Sequence, residues 1–106
     1  MFTASHKSYA DVVLDFLDPK GELIQHRLYR ESCVLTDDGV YVKDLRIIAN
    51  RSLKDLVIVD NAVYSFGFQL ENGIPIIPYY SDPDDEELMH LIYFINCLAS
   101  FDDVRE

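Results

Sequence analysis

Four consecutive apolar residues, Leu56-Val57-Ile58-Val59, run directly into Asp60-Asn61, and this junction limits the fold more than any other feature of the chain. An unbroken β-branched and leucine run of this length is the pattern of a parallel strand covered on both faces, because an antiparallel strand with one wet face would alternate. Parallel neighbours require crossover connections, so helices must alternate with strands and the class is α/β. Polar groups at the C-terminal end of such a strand lie at the edge where ligands of open α/β sheets collect.

The remaining periodicities fit that class. Ser5 reads as an N-cap for a helix over residues 6–17, with Ala10, Val13, Leu14 and Leu17 on its apolar face and Asp18-Pro19 as its stop. Short strands are expected at Leu23–Leu28, Val40–Lys43 and Ile74–Ile77, separated by turn signals at Pro19-Lys20-Gly21, Asp37-Asp38-Gly39 and Asn72-Gly73. A last helix should begin with Asp82 as cap and Pro83 in the first position, with Asp84, Asp85 and Glu86 in its first turn. Its stripe of Leu88, Leu91, Ile92, Ile95 and Leu98 is expected to be core. With 106 residues, no internal repeat and no linker, the expectation is one domain over residues 1–106.

Charge narrows the partners. Nineteen acidic against nine basic side chains give a formal net charge of −10, which opposes binding to nucleic acid or to an anionic membrane. Cys33 and Cys97 stand far apart and form no metal-like cluster, so a reducing compartment is the default. The longest apolar stretch, Leu91–Ala99, is interrupted by Asn96 and is far shorter than the roughly 20 residues of a bilayer span. The chain reads as soluble, without a membrane span.

Three clusters carry chemical potential, each beside a plainer reading. Phe2-Thr3-Ala4-Ser5 places small hydroxyls between a strand end and a helix start, where phosphate can be held, although such residues also simply cap helices. Lys43, in Tyr41-Val42-Lys43-Asp44-Leu45, ends a strand and can neutralise a phosphoryl group, or can form a solvated pair with its neighbouring aspartate. Asp60-Asn61 offers hard oxygen donors suited to Mg²⁺, and is equally a turn-starting pair.

Taken in order, these clusters with Tyr9-Ala10-Asp11, Leu17-Asp18, Leu28-Tyr29-Arg30-Glu31-Ser32-Cys33, Glu71-Asn72-Gly73-Ile74-Pro75-Ile76 and Asp102-Asp103-Val104-Arg105 resemble the RNA polymerase II C-terminal-domain phosphatases. These belong to the haloacid dehalogenase superfamily, and the small-phosphatase and nuclear-envelope-phosphatase branches are nearest. The resemblance implies a Rossmannoid parallel sheet with flanking helices. It further implies removal of phosphate from phosphoserine or phosphothreonine proteins through an aspartyl phosphate, with Mg²⁺ as cofactor. In that reading Thr3 binds phosphoryl oxygens, Lys43 stabilises the phospho-enzyme charge, and Asp60 and Asn61 hold the metal. Tyr9 lines the substrate groove and Arg30 positions the site or supports the fold.

Two departures follow from the same resemblance. Ala62-Val63 replaces the family's usual Ser-Pro, and the Asp-x-Asp-x-Thr segment that provides the nucleophile has no counterpart in these residues. The implied fold is therefore truncated at the N-terminus, without the central strand between those ending at Thr3 and Asp60. Two expectations result: a chain inactive by itself, and open sheet edges that invite dimerisation or a partner strand. A pseudophosphatase or phosphopeptide-binding module is the alternative, followed by a translocase-like interaction protein of the same fold. The implied compartment is nuclear or cytoplasmic, or endomembrane through a missing N-terminal segment.

Overall fold

The computed structural model describes residues 1–105. They gather into two compact units, Met1–Asp44 and a second beginning at Leu45, which are taken in turn.

In the first unit, helix α1 spans Lys7–Leu17. Its N-cap residue is His6, in extended conformation, and not the expected Ser5. Ser5 is occupied one step earlier: its N–H donates to Thr3 Oγ1 at 3.1 Å and its carbonyl accepts from Arg30 N at 3.1 Å. Ala10 and Leu14 are buried, whereas Val13 and Leu17 of the same expected stripe are exposed. The helix stops at Asp18, ahead of Pro19, which cannot continue it.

The expected strand Leu23–Leu28 does not form, and Asp18 is the reason. Its buried carboxylate accepts the backbone N–H groups of Glu22 (3.0 Å), Leu23 (3.1 Å) and Ile24 (2.8 Å), so those amides are spent on a loop. Only Leu28 pairs as a strand residue would, in a parallel bridge with Phe2. There Thr3 N donates to the Leu28 carbonyl and Leu28 N donates to the Met1 carbonyl, both at 2.8 Å. A hairpin of β1 (Val34–Leu35) and β2 (Tyr41–Val42) completes the unit, in antiparallel register Val34↔Val42 and Leu35↔Tyr41. Gly39, at φ +84°, allows its turn. β2 falls within the expected Val40–Lys43, while its partner β1 was not anticipated.

The second unit is built on β3 (Ile58–Asp60) and β4 (Gly73–Pro75), which pair in parallel with Asp60 opposite Pro75. Short 3₁₀ turns at Val63–Phe66 and Leu70–Asn72 make the crossover. Leu45, Ile58 and Phe66 form the buried cluster, with Leu53 and Leu56 against it. Gly73 is required by contact and not by conformation, since a Cβ there would stand 2.0 Å from the Phe66 ring. Asn72, also buried, donates through Nδ2 to the Leu53 (2.6 Å) and Leu56 (2.8 Å) carbonyls and so ties the crossover to the approach of β3.

Four expectations change in this unit. β3 has one partner strand among the described residues, and only Ile58 is fully buried; Val59 and Asp60 are half-buried. β4 ends at Pro75, which has no N–H to donate, although Ile76 N still reaches the Asp60 carbonyl at 3.1 Å. Helix α2 spans Glu87–Leu98 instead of starting at Pro83. The acidic residues before it fold into local turns, with Asp84 N donating to Asp82 Oδ1 and Glu87 N to Asp85 Oδ1. The expected core stripe is also overturned. Leu98 is buried and Leu91 half-buried, but Leu88, Ile92 and Ile95 are exposed.

Candidate functional site

Thr3, Tyr9, Arg30 and Lys43 lie in the first unit, and Asp60 and Asn61 in the second. Each set is built from its own elements.

Thr3 directly follows the Phe2–Leu28 bridge and stands in the bend that feeds α1. Accepting the Ser5 N–H uses a lone pair of its hydroxyl and leaves the hydroxyl proton for donation. Arg30 braces the same bend. Its Nε donates to the Ala4 carbonyl at 2.6 Å, its Nη1 meets His6 Nε2 at 3.0 Å, and its guanidinium stacks 4.7 Å from the centroid of the Tyr41 ring on β2. Lys43 follows β2 and is buried. Cys33 links these groups: its Sγ contacts the Thr3 carbonyl at 3.8 Å and the Tyr29 carbonyl at 3.9 Å. Burial raises the Cys33 pKa, and the charges of Lys43 and Arg30 oppose this only partly. The Cys33 thiol thus ties the backbone at Thr3 to that at Tyr29. Tyr9 stands exposed on α1.

Asp11 anchors α1 to the segment before Arg30. It accepts from Lys7, from the Tyr29 hydroxyl and from Arg27 Nη1, and these bonds, that of Lys7 foremost, hold its carboxyl well below the usual range. Asp18 is lowered mainly by the Ile24 N–H, and in the second unit the Arg105 guanidinium lowers Asp103 to about 2. A carboxyl depressed on folding stabilises the fold above its unfolded pKa of about 3.9, and that contribution is lost as pH falls through the folded value. Thermal unfolding followed by circular dichroism should thus show a falling midpoint between about pH 4 and pH 2.

Asp60 closes β3, and its Oδ1 accepts the Ala62 N–H at 2.9 Å, turning the chain outward so that Asn61 is exposed at the strand end. A carboxylate and an amide oxygen on adjacent residues are hard donors, the type Mg²⁺ selects while keeping several waters. Among the described residues no group of three or more His, Cys, Asp or Glu side chains gathers as a metal cage. Two such donors fill only part of the octahedral shell of Mg²⁺, an ion that keeps several waters.

Residues 1–105 match the family model of the NLI interacting factor-like phosphatases. The chain belongs to this phosphatase family. Its relatives include CTD small phosphatase-like protein 2 of Dictyostelium discoideum (48% identical over 99% of this chain and 18% of the relative). CTD small phosphatase-like protein of Homo sapiens is 45% identical over 98% and 37%. Nuclear envelope morphology protein 1 of Schizosaccharomyces pombe is 39% identical over 100% and 22%. The chain thus spans well under half the length of each. Among solved structures, the RNA polymerase II CTD phosphatase Fcp1 superimposes with a TM-score of 0.61 at 22% identity, over 94% of this chain and 32% of that one. A beryllium fluoride-bound form of the fission yeast enzyme gives 0.59 at 20% identity, over 92% and 29%. At those identities the likeness concerns the fold, and it agrees with the α/β class expected from the Leu56–Val59 run.

Sequence reasoning named Asp18, Cys33 and Asn72 as stop, turn or motif residues without giving their side chains a role. For Asp18 a local signal existed, since Asp before Pro-x-Gly suits a carboxylate that gathers loop amides. Nothing in the local sequence marks the contacts of Cys33 or Asn72.

Proposed function

We propose that this chain forms part of a Mg²⁺-dependent protein phosphatase domain that removes phosphate from phosphoserine or phosphothreonine. The observation carrying this reading is the family match across residues 1–105, a span that includes Thr3, Lys43, Asp60 and Asn61. Thr3 donates its hydroxyl to a phosphoryl oxygen. Lys43 opposes the negative charge that grows on the phosphoryl group during transfer. Asp60 and Asn61 hold Mg²⁺, which when bound supplies further charge neutralisation at the phosphate. Arg30 keeps the Thr3 bend and β2 in fixed relation, and Tyr9 offers an exposed ring beside the substrate path.

The acceptor of the phosphoryl group is an aspartate of an Asp-x-Asp-x-Thr segment, which these 106 residues do not contain. The chain by itself is therefore inactive in this proposal, and its unpaired strand edges favour a partner strand or a second copy. A nuclear or cytoplasmic setting, or an endomembrane one, accords with relatives named as CTD phosphatases and as a nuclear envelope protein. Because that motif is absent from these residues, a module that binds phosphopeptides without turnover is the second reading.

Metal removal tests the first. A polypeptide joining an Asp-x-Asp-x-Thr segment to this chain should release phosphate from a phosphoserine peptide with Mg²⁺ present, and lose that activity in EDTA until Mg²⁺ is restored. Activity indifferent to EDTA would remove Asp60 and Asn61 from their roles.

A further inference from the structure

The second unit carries a groove that the proposed chemistry does not use. It is a cavity of about 500 Å³ with Asn61 at its wall. Because β4 runs parallel to β3, with Pro75 opposite Asp60, the chain leaving β4 emerges at the same sheet edge as Asn61. Pro78, Tyr79 and Tyr80 line one side, and Leu88 and Met89 of α2 line the other. Tyr79 is 65% and Tyr80 82% exposed, a degree of exposure unusual for two adjacent aromatic rings. Ile76, Ile77, Asp85, Glu86 and Glu87 also line it, and among the described residues no lysine or arginine does. His90 is the nearest basic group on α2, with Nε2 3.8 Å from Glu86.

We propose that this groove is a recognition subsite for an arginine or lysine close to the phosphorylated residue of the polypeptide substrate. The proposal rests on the phosphatase reading, which brings a phosphoryl group to Asp60 and Asn61. A peptide held there lays its neighbouring residues along the same sheet edge, into the groove. Three properties select a cationic side chain. The lining is anionic, within a chain of formal net charge −10. The tyrosine faces attract a guanidinium or ammonium through their quadrupoles. The apolar surface of Leu88 and Met89 matches the aliphatic stem that carries the charge. An acidic peptide meets the same surface with like charge, so the groove also discriminates.

Fluorescence anisotropy on the 106-residue chain separates the possibilities with three labelled peptides. One holds phosphoserine beside arginine, one replaces that arginine by glutamine, and one holds arginine beside unphosphorylated serine. The arginine phosphopeptide should bind about fivefold more tightly than its glutamine twin, as for a partly exposed ion pair with a cation–π contact. That advantage should vanish in the double variant Glu86→Gln/Glu87→Gln and shrink in Tyr80→Ala. Tyr80 and Glu86 are exposed and Glu87 is half-buried, and circular dichroism verifies that each variant is folded. Equal binding of the arginine and glutamine phosphopeptides overturns the subsite while leaving the phosphatase reading intact. Equal binding of the two arginine peptides, with the Glu86/Glu87 effect retained, supports the groove and counts against a phosphate site. Failure of all three peptides to bind overturns the proposal.

Discussion

Lys43→Met in a polypeptide that joins this chain to an Asp-x-Asp-x-Thr segment should lower the rate of phosphate release by about 10²–10³, the loss typical of removing one preorganised charge from a transition state. Methionine keeps most of the stem volume that lysine places in this buried position, so the change deletes mainly the charge. If Lys43 acts on transferring phosphate, kcat falls while KM for the peptide changes little, because the charge it opposes is largest in the transition state. Arginine would not restore the rate, since a planar fork does not replace a compact ammonium in a packed site. A structural role would show differently, as a lower unfolding midpoint with kcat preserved in the remaining folded fraction. Steady-state kinetics alongside thermal unfolding distinguishes the two.

The largest effect on stability is expected at Phe66. Its ring is 2% exposed and forms the buried cluster with Leu45 and Ile58, so Phe66→Ala should cost about 3–5 kcal/mol. Against a typical total of about 5–15 kcal/mol, that is enough to unfold much of the second unit. Gly73→Val attacks the same contact from the other side, by driving a side chain into ring atoms 2.0 Å from the Cβ position. The two sites touch, so their effects should not add, and pairing Gly73→Ala with Phe66→Leu should recover part of the loss of Gly73→Ala alone. Urea titration monitored by circular dichroism reads all four variants.

The parts of the fold legible in the sequence were those decided by local pattern. The Leu56–Val59 run did mark a parallel strand ending at Asp60, Asp37-Asp38-Gly39 did mark a turn, and Asp18-Pro19 did end a helix. What failed depended on partners distant in the chain. Leu23–Leu28 has strand composition, yet the Asp18 carboxylate competes successfully for its first amides. Val34–Leu35 is too short to register as a strand and exists because Tyr41–Val42 pairs with it. Periodicity showed that α2 has an apolar face but not whether anything lies against it, which is why the expected core stripe proved largely exposed. The acidic run before α2 seemed to belong to the helix because its charges suit a macrodipole, but Asp side chains bond nearby amides equally well and held the run in turns.

The candidate site divides along the same line. Thr3, Lys43 and Asp60-Asn61 stood out through residue type at expected strand ends, a signal that resides in the sequence. Cys33, Arg30 and Tyr41 show how the first unit supports the bend at Thr3, and their contacts join residues up to 30 positions apart. Arg30 illustrates the difference. The resemblance left it either positioning the site or supporting the fold, and only the structure adds its bonds to Ala4 and His6 and its stacking on Tyr41.

The most direct test of the account is phosphate release from p-nitrophenyl phosphate with Mg²⁺, measured for the 106-residue chain alone and for the same chain joined to an Asp-x-Asp-x-Thr segment. No turnover above the buffer rate is expected in the first case and Mg²⁺-dependent turnover in the second. Turnover by the chain alone, or none by the joined polypeptide once it is shown to be folded, would contradict it.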